Sequence, residues 1–208
     1  MKLSSTQKEI IYGLILGDAF LQKTGIQNAR LRLEHSQKQE AYMAWLHQQL
    51  ENLFAHEPTR MTRIHPGTKK TYGYVRLQSH SSPWFGKLQK VFYQNGIKTI
   101  PEDIERFLKT SRTLAVWYMD DGHYYQRDKS AHIYLQKLSE KECDRLVQTF
   151  EKQFLIRPKI YCRPDRKACQ LTFNGQNLKR FVRLIRPYII PSMEYKLPLD
   201  PVTTESEK

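Results

Sequence analysis

The sequence predicts an α+β fold: a tandem duplication of one helix–strand–strand–helix–strand–strand–helix unit about a pseudo-two-fold axis. Three observations predict it. Two apolar runs studded with small residues, Ile11–Ala19 (IYGLILGDA) and Leu114–Gly122 (LAVWYMDDG), have the length and apolarity of buried helices and end on aspartate. Their aspartates, Asp18 and Asp121, stand 103 residues apart. After each run the same order of alternating strands and amphipathic helices repeats, over a period far too long for a solenoid, so one duplication is the simplest account. The two motif helices then fall at the axis. The halves divide as 1–109 and 110–198, with 199–208 a polar tail.

Ser4, Ser5 and Thr6 offer N-caps to a first helix over Gln7–Ala19. Gly13 and Gly17 stand one helical turn apart on it, a spacing that lets a second helix backbone approach closely. Gly25 and Asn28 mark a turn into Ala29–Gln37, where Leu31, Leu33 and His35 alternate with Arg30, Arg32, Glu34 and Ser36 as in a half-buried strand. Gln39–Phe54 returns to helical spacing through Tyr42, Trp45, Leu46, Leu50 and Phe54. A strand pair then turns at His65-Pro66-Gly67-Thr68, beside Lys69 and Lys70. Its second arm, Thr71–Gln78, sets Tyr72, Tyr74, Arg76 and Gln78 outward against Val75 and Leu77. Trp84–Tyr93 reads as helical, with Asn95-Gly96 ending it.

A connector over Glu102–Leu108 leads to the second motif, and the order repeats. Ala131–Leu138 sets His132, Tyr134 and Gln136 against Ile133 and Leu135, and Ser139 with Glu142 spells a capping box for the next helix. Lys159–Arg163 and Ala168–Phe173 flank the charged turn Pro164-Asp165-Arg166-Lys167, and Asn177–Ile185 is the last helix. Lys98 and Lys196 hold matched places in the two halves, each just ahead of a proline, Pro101 and Pro198.

The 34 Lys+Arg against 21 Asp+Glu give a formal net charge of +13, which predicts a polyanionic partner. No apolar run approaches the roughly 18 residues that span a bilayer, and no basic amphipathic stretch suggests a membrane surface. Three cysteines, Cys143, Cys162 and Cys169, are odd in number and lack a CxxC pair. They read as buried thiols of an intracellular, reducing compartment, bacterial cytoplasm or organelle matrix, with a zinc site disfavoured.

A carboxylate at a helix C-terminus faces the negative end of the macrodipole, at a cost of a few tenths to about 1 kcal/mol. Two such ends side by side compound the cost unless a cation sits between them. Asp18 and Asp121 therefore point to a hard divalent metal with oxygen ligands and a phosphate nearby. The outward strand faces supply the residue types that read DNA in the major groove, where a two-stranded ribbon fits. They are Arg30, Arg32, Glu34, Tyr72, Tyr74, Arg76, Gln78, His132, Tyr134, Gln136, Arg163, Gln170 and Thr172, with Lys69, Lys70, Arg166 and Lys167 at the turns. Glu34 and Gln136 fall at roughly corresponding strand positions.

The paired runs resemble the duplicated LAGLIDADG motif of homing endonucleases, in the single-chain, intron-encoded type, over roughly Gln7–Pro198. The aspartate at the eighth position of each motif is Asp18 and Asp121; the first copy ends in Ala19 where the consensus has Gly. The resemblance implies two antiparallel sheets forming a DNA-binding saddle, with the motif helices at the centre. It implies that Asp18 and Asp121 hold two or more Mg²⁺ ions, with Mn²⁺ able to substitute, aided by the backbone carbonyls of Gly17 and Asp120. Lys98 and Lys196 would order water or stabilise the pentavalent phosphate. The implied protein is a monomer that cuts both strands of a long DNA site, leaves 3′ overhangs and serves intron mobility. Because the halves differ at most outward positions, the expected site is asymmetric. Two further readings use the same scaffold: a maturase that binds its host intron RNA, and a non-catalytic DNA-binding regulator. Retention of both aspartates favours cleavage.

Overall fold

A computed structural model describes residues 2–164 and 168–199. The turn cations Arg166 and Lys167, and the polar tail beyond Leu199, lie outside the described residues. The chain forms two compact units. Among the described residues, the first joins 2–7 with Asp18–Lys98, and the second joins Lys8–Gly17 with those from Thr99 on.

The elements run in a repeated order. Helix α1 (Ser5–Leu16) is followed by β1 (Phe20–Lys23), β2 (Ala29–Ser36), α2 (Glu40–Gln49), β3 (Thr59–Ile64), β4 (Thr71–Gln78) and α3 (Pro83–Phe92). A short ribbon of β5 (Tyr93–Gln94) and β6 (Ile97–Lys98) ends the first half. Then come α4 (Ser111–Asp121), β7 (Gly122–Tyr125), β8 (Ser130–Gln136), α5 (Glu140–Phe154), β9 (Lys159–Cys162), β10 (Ala168–Phe173) and α6 (Gly175–Ile185). Each half is thus the predicted helix–strand–strand–helix–strand–strand–helix unit.

In the first unit the antiparallel sheet has the order β1-β2-β4-β3. Alternation along β2 buries Leu31, Leu33 and His35 and leaves Arg30, Arg32 and Glu34 half-exposed, so the sequence period sets the faces. The apolar face, with Leu21, Val75 and Leu77, is covered by Tyr42, Met43 and Leu46 of α2 and Phe85, Leu88 and Phe92 of α3. Each such aliphatic side chain contributes roughly 1.5–3 kcal/mol by leaving water. Helix α3 starts where Ser82 accepts from the Phe85 amide and Pro83 takes the first position, whose amide needs no partner.

The second unit repeats the order as β7-β8-β10-β9, again antiparallel. Ile133, Leu171 and Phe173 are buried, as are Leu146, Phe150 and Phe154 of α5 and Phe181 of α6; the Phe173 ring packs against Phe150 at 5.5 Å and stacks on Phe181 at 4.0 Å. The capping box is present: Ser139 accepts from the Glu142 amide and Glu142 accepts from the Ser139 amide. Helix α4 is buried nearly all round, from Thr113 to Asp120. It lies against the body of α1, where Gly13 and Gly17 permit the contact. A Cβ at Gly13 would stand 2.6 Å from the Thr113 carbonyl oxygen and 2.7 Å from Val116 Cβ. Polar bonds fix the register of the two helices: Thr113 Oγ1 donates to the Glu9 carbonyl at 3.1 Å, and Arg112 pairs with Glu9 at 2.8 Å.

Two expectations are corrected. Asn95-Gly96 does not merely end a helix; with φ of 50° and 79° the two residues form the hairpin turn between β5 and β6, the left-handed pair that such turns demand. Nor are the cysteines three buried thiols. Cys162 and Cys169 face each other across β9 and β10 with Cα atoms 4.0 Å apart and form a disulfide, while Cys143 keeps its thiol. The disulfide withdraws the support that the cysteines gave to a reducing compartment. Among the described residues no helix is long and apolar enough to cross a membrane.

Candidate active site and nucleic-acid interface

Each half presents its motif aspartate at the end of its helix. In the first unit Asp18 follows α1 by two residues, its side chain about 48% exposed. It opens on a cleft of about 350 Å³ lined also by Phe20, Arg32 and Glu34, on the polar face of the sheet. Behind it lies His35, buried on the apolar side of β2, with Nδ1 3.9 Å from Asp18 Oδ2 and 3.3 Å from Gln39 Oε1. Lys98, carried by the short ribbon, donates from Nζ to the Ala19 carbonyl at 2.9 Å. The β5–β6 turn is thus what brings a lysine 79 residues away to the loop bearing Asp18.

In the second unit Asp121 is the last residue of α4, half-exposed, and Gly122 closes the helix through a bond to the Tyr118 carbonyl. Asp120 is buried, its side chain packed where a Cβ at Gly17 would come within 2.5 Å of its Oδ2. Lys196 is also buried, at 6% exposure, and donates from Nζ to the carbonyls of Met119 at 2.5 Å and Asp120 at 3.0 Å. These are carbonyls of the last helical turn, which lack intrahelical donors, so the ammonium caps the negative end of α4 and offsets the cost of ending on Asp121. Its position is fixed in turn by Tyr118, whose hydroxyl donates to the Lys196 carbonyl at 2.7 Å; burial pushes that phenol well above its usual range.

The two lysines are therefore matched in sequence but not in geometry. Lys98 bonds to the residue after its aspartate and is half-exposed; Lys196 bonds to the two residues before its aspartate and is sealed from solvent. The Asp120 carbonyl already accepts from this ammonium.

On the outward face of the first sheet, Glu34 is the hub. It takes Arg32, Arg76 (2.6 Å) and Arg63 (3.0 Å), while the Arg63 and Arg76 guanidiniums lie over the Tyr74 ring at 4.9 and 5.5 Å. Partial burial works to raise the Glu34 carboxyl, but the hydrogen bonds and charges of Arg32 and Arg76 outweigh it and hold it below the usual carboxylate range. Arg30 bonds Gln22 at 2.9 Å, Gln78 stands beside Arg32 in register, and Tyr72, Lys69 and Lys70 are exposed at the β3–β4 end. On the second sheet the outward row holds His132, Tyr134 and Gln136 of β8 with Thr172 and Gln170 of β10 as register partners, and exposed Arg163 follows β9. Tyr134 and Tyr125 share a hydrogen bond between their hydroxyls; burial and that bond push Tyr134 up to about 12. Burial holds His132 below the usual imidazole range.

The register corrects one pairing. Phe20 faces Arg32 and His123 faces His132, so Glu34 corresponds to Tyr134, and Gln136 to Ser36. Arg63 was missed as part of the polar face. The signal was present: in TRMTRI the period of two puts Thr59, Met61 and Arg63 on one face, and pairing Arg63 with Tyr72 makes that face the outward one.

Comparison with known proteins gives a consistent result. The sequence profile of the LAGLIDADG DNA endonuclease family matches residues 8–181. The chain is 28% identical to the "Probable intron-encoded endonuclease 1" of Wickerhamomyces canadensis over 94% of its own length and 85% of the relative's. It is 27% identical to the cytochrome b mRNA maturase bI2 of Debaryomyces hansenii, over 94% of this chain and 74% of that one. The fold is similar to the homing endonuclease I-WcaI bound to its DNA recognition sequence, at a TM-score of 0.85 and 28% identity, over 96% of this chain and 89% of that one.

Proposed function

The chain belongs to the LAGLIDADG DNA endonuclease family, and we propose on that footing that it is a monomeric, metal-dependent homing endonuclease that breaks both strands of a long asymmetric DNA site. The observation that carries the reading is the pair of motif aspartates, Asp18 and Asp121, each delivered to solvent just past helical turns that are themselves buried. A carboxylate beside a helix C-terminus costs a few tenths to about 1 kcal/mol, which Lys196 offsets at the end of α4 and a bound cation would offset at either aspartate.

The residues fit a hard divalent cation such as Mg²⁺, with Mn²⁺ as a substitute. The donors are oxygens only, Asp18 is open to solvent on one cleft with Glu34, and Asp121 is half-exposed. When bound, such an ion neutralises charge on the phosphoryl oxygens and makes a coordinated water more acidic. The chain's own residues do the rest. Asp18 and Asp121 fix the ions, one half serving each strand. Lys98, half-exposed beside the Ala19 carbonyl, can turn its ammonium towards a phosphate oxygen and stabilise developing charge there. Lys196, held by two carbonyls in a buried place, acts by positioning the end of α4 that carries Asp121. The outward arginines, lysines, tyrosines and glutamines bind phosphates and base edges and set the register of the duplex.

The sequence difference between the two outward faces supports an asymmetric site, and intron mobility is the setting suggested by the intron-encoded relative. A library of randomised long duplexes, incubated with the purified chain in Mg²⁺ and sequenced at the cut ends, tests the reading. Recurrent ends with short 3′ overhangs, absent in EDTA, are expected; binding without cutting would refute it. The maturase relative supports a second reading, in which the basic chain binds its host intron RNA. Acceleration of intron splicing by the Asp121→Asn variant would establish that activity independently of cleavage.

A further inference from the structure

The three cysteines are distant in sequence and come from three elements: Cys143 from the first turns of α5, Cys162 from the end of β9 and Cys169 from the start of β10. Folding gathers them. Their sulfurs all lie within 4.8 Å of one another, and the Cys143 and Cys162 sulfurs are 4.0 Å apart. The gathering follows from the pleat. Cys162 and Cys169 are register partners, so their side chains share one face of the hairpin, the face that buries Leu171 and Phe173. Cys143 lies one turn before Leu146 and two before Phe150, on the stripe of α5 that packs against that face.

The disulfide joins two of the sulfurs, and the third, on Cys143, stands 4.0 Å from that of Cys162. A tetrahedral zinc ion with bonds of about 2.3 Å needs sulfurs about 3.8 Å apart, close to the Cys143–Cys162 distance. From these distances we infer that in the reduced chain Cys143, Cys162 and Cys169 form a thiolate site for a soft d¹⁰ cation, zinc above all. Two-electron reduction of the Cys162–Cys169 bond by an added thiol or phosphine, with uptake of two protons, lets those two sulfurs separate to the spacing the ion requires, and binding then releases the three thiol protons. Cys169 is buried while Cys143 and Cys162 are half-buried, so the site sits at the wet edge of the core where an ion can enter. No other His, Cys, Asp or Glu joins the cluster among the described residues, which leaves the fourth position to water. The metal ties α5 to the β9–β10 hairpin, whose opposite face carries Tyr161, Gln170 and Thr172 towards solvent. Zinc and the disulfide are thus alternative staples for one ribbon of the nucleic-acid face.

Cobalt titration of the untagged chain, reduced with a phosphine and freed of metal, tests this. Only thiolate coordination gives the intense sulfur-to-cobalt charge-transfer absorption, so carboxylate-bound cobalt at Asp18 or Asp121 does not interfere. One cobalt per chain is expected, displaced by one zinc, with all three thiols then protected from alkylation. Cys143→Ser should lose at least a hundredfold in affinity yet still form the Cys162–Cys169 disulfide on oxidation. Absence of the charge-transfer band in the reduced wild type would overturn the inference, as would a Cys143→Ser chain that binds as tightly as the wild type.

Discussion

Gly13→Ala tests whether the motif helices meet as closely as the account requires. The added Cβ would stand 2.6 Å from the Thr113 carbonyl oxygen and 2.7 Å from Val116 Cβ, against about 3.4 Å for ordinary contact. One obstacle is backbone and the other a branched carbon at the root of its side chain, so neither can swing aside. The helices must separate by about 0.7–0.8 Å, the shortfall between these distances. Overpacking of this kind costs about 1–3 kcal/mol, and alanine returns up to about 1 kcal/mol of helix propensity. The net expectation is a loss of about 1–2 kcal/mol, or a drop in Tm of about 2–8 °C for a chain of this size. Because α1 leads directly into Gly17 and Asp18, the same shift should lower cleavage about ten- to a hundredfold, as misplacements near 1 Å do. Thermal denaturation with Gly25→Ala as control, where a Cβ meets nothing within 4 Å, reads the effect. A Gly13→Ala chain that melts at or above the wild-type Tm, and cuts as fast, would refute the close approach.

Four other predictions follow from individual side chains. Glu34→Gln removes the carboxylate shared by Arg32, Arg63 and Arg76. Since the folded carboxyl is held below its ordinary value, its stabilisation is fully present above the unfolded value of about 4.3 and fades as pH falls through the lower folded one. The stability gap between variant and wild type should therefore be full at pH 6 and narrow as the pH is lowered below about 4.3 in denaturant titrations, while DNA binding gains a salt slope steeper by about 0.9 for each phosphate newly contacted. Ser139→Ala breaks the capping box of α5 and should cost about 1 kcal/mol in urea unfolding. Lys196→Met strips the ammonium from two buried carbonyls and should cost about 1–3 kcal/mol as well as cleavage. Lys98→Met, at a half-exposed site, should reduce cleavage with little change in Tm.

Much of this was legible in the residues because periodicity speaks directly about burial. Leu31, Leu33 and His35 alternate with Arg30, Arg32 and Glu34 in sequence and in the sheet, and the small residues of the motif helices announce their contact. What was not legible depended on register or on a second meaning of the same signal. Asn95-Gly96 suits a helix end and a two-residue hairpin turn alike, and only the pairing of Tyr93 with Lys98 selects the turn. Cys162 and Cys169 are separated by a turn of undetermined register in the sequence, so nothing in their spacing says that they face each other. Lys98 and Lys196 look equivalent by position, yet one sits on a ribbon and the other on a 3-10 turn, Pro191–Lys196, that buries it. Glu34 was visible as polar and outward; that it gathers three arginines needed Arg63 to be placed beside it by β3.

Whether the two motif aspartates carry the cleavage is measured on the target recovered from the duplex library by comparing the wild type with Asp18→Asn and Asp121→Asn, scoring binding and the cutting of each strand separately. Both variants should bind the target within severalfold of the wild type, and double-strand cleavage should fall at least a hundredfold in each. Undiminished cleavage by either variant would contradict the assignment of that aspartate, and undiminished cleavage by both would place the chemistry elsewhere in the chain.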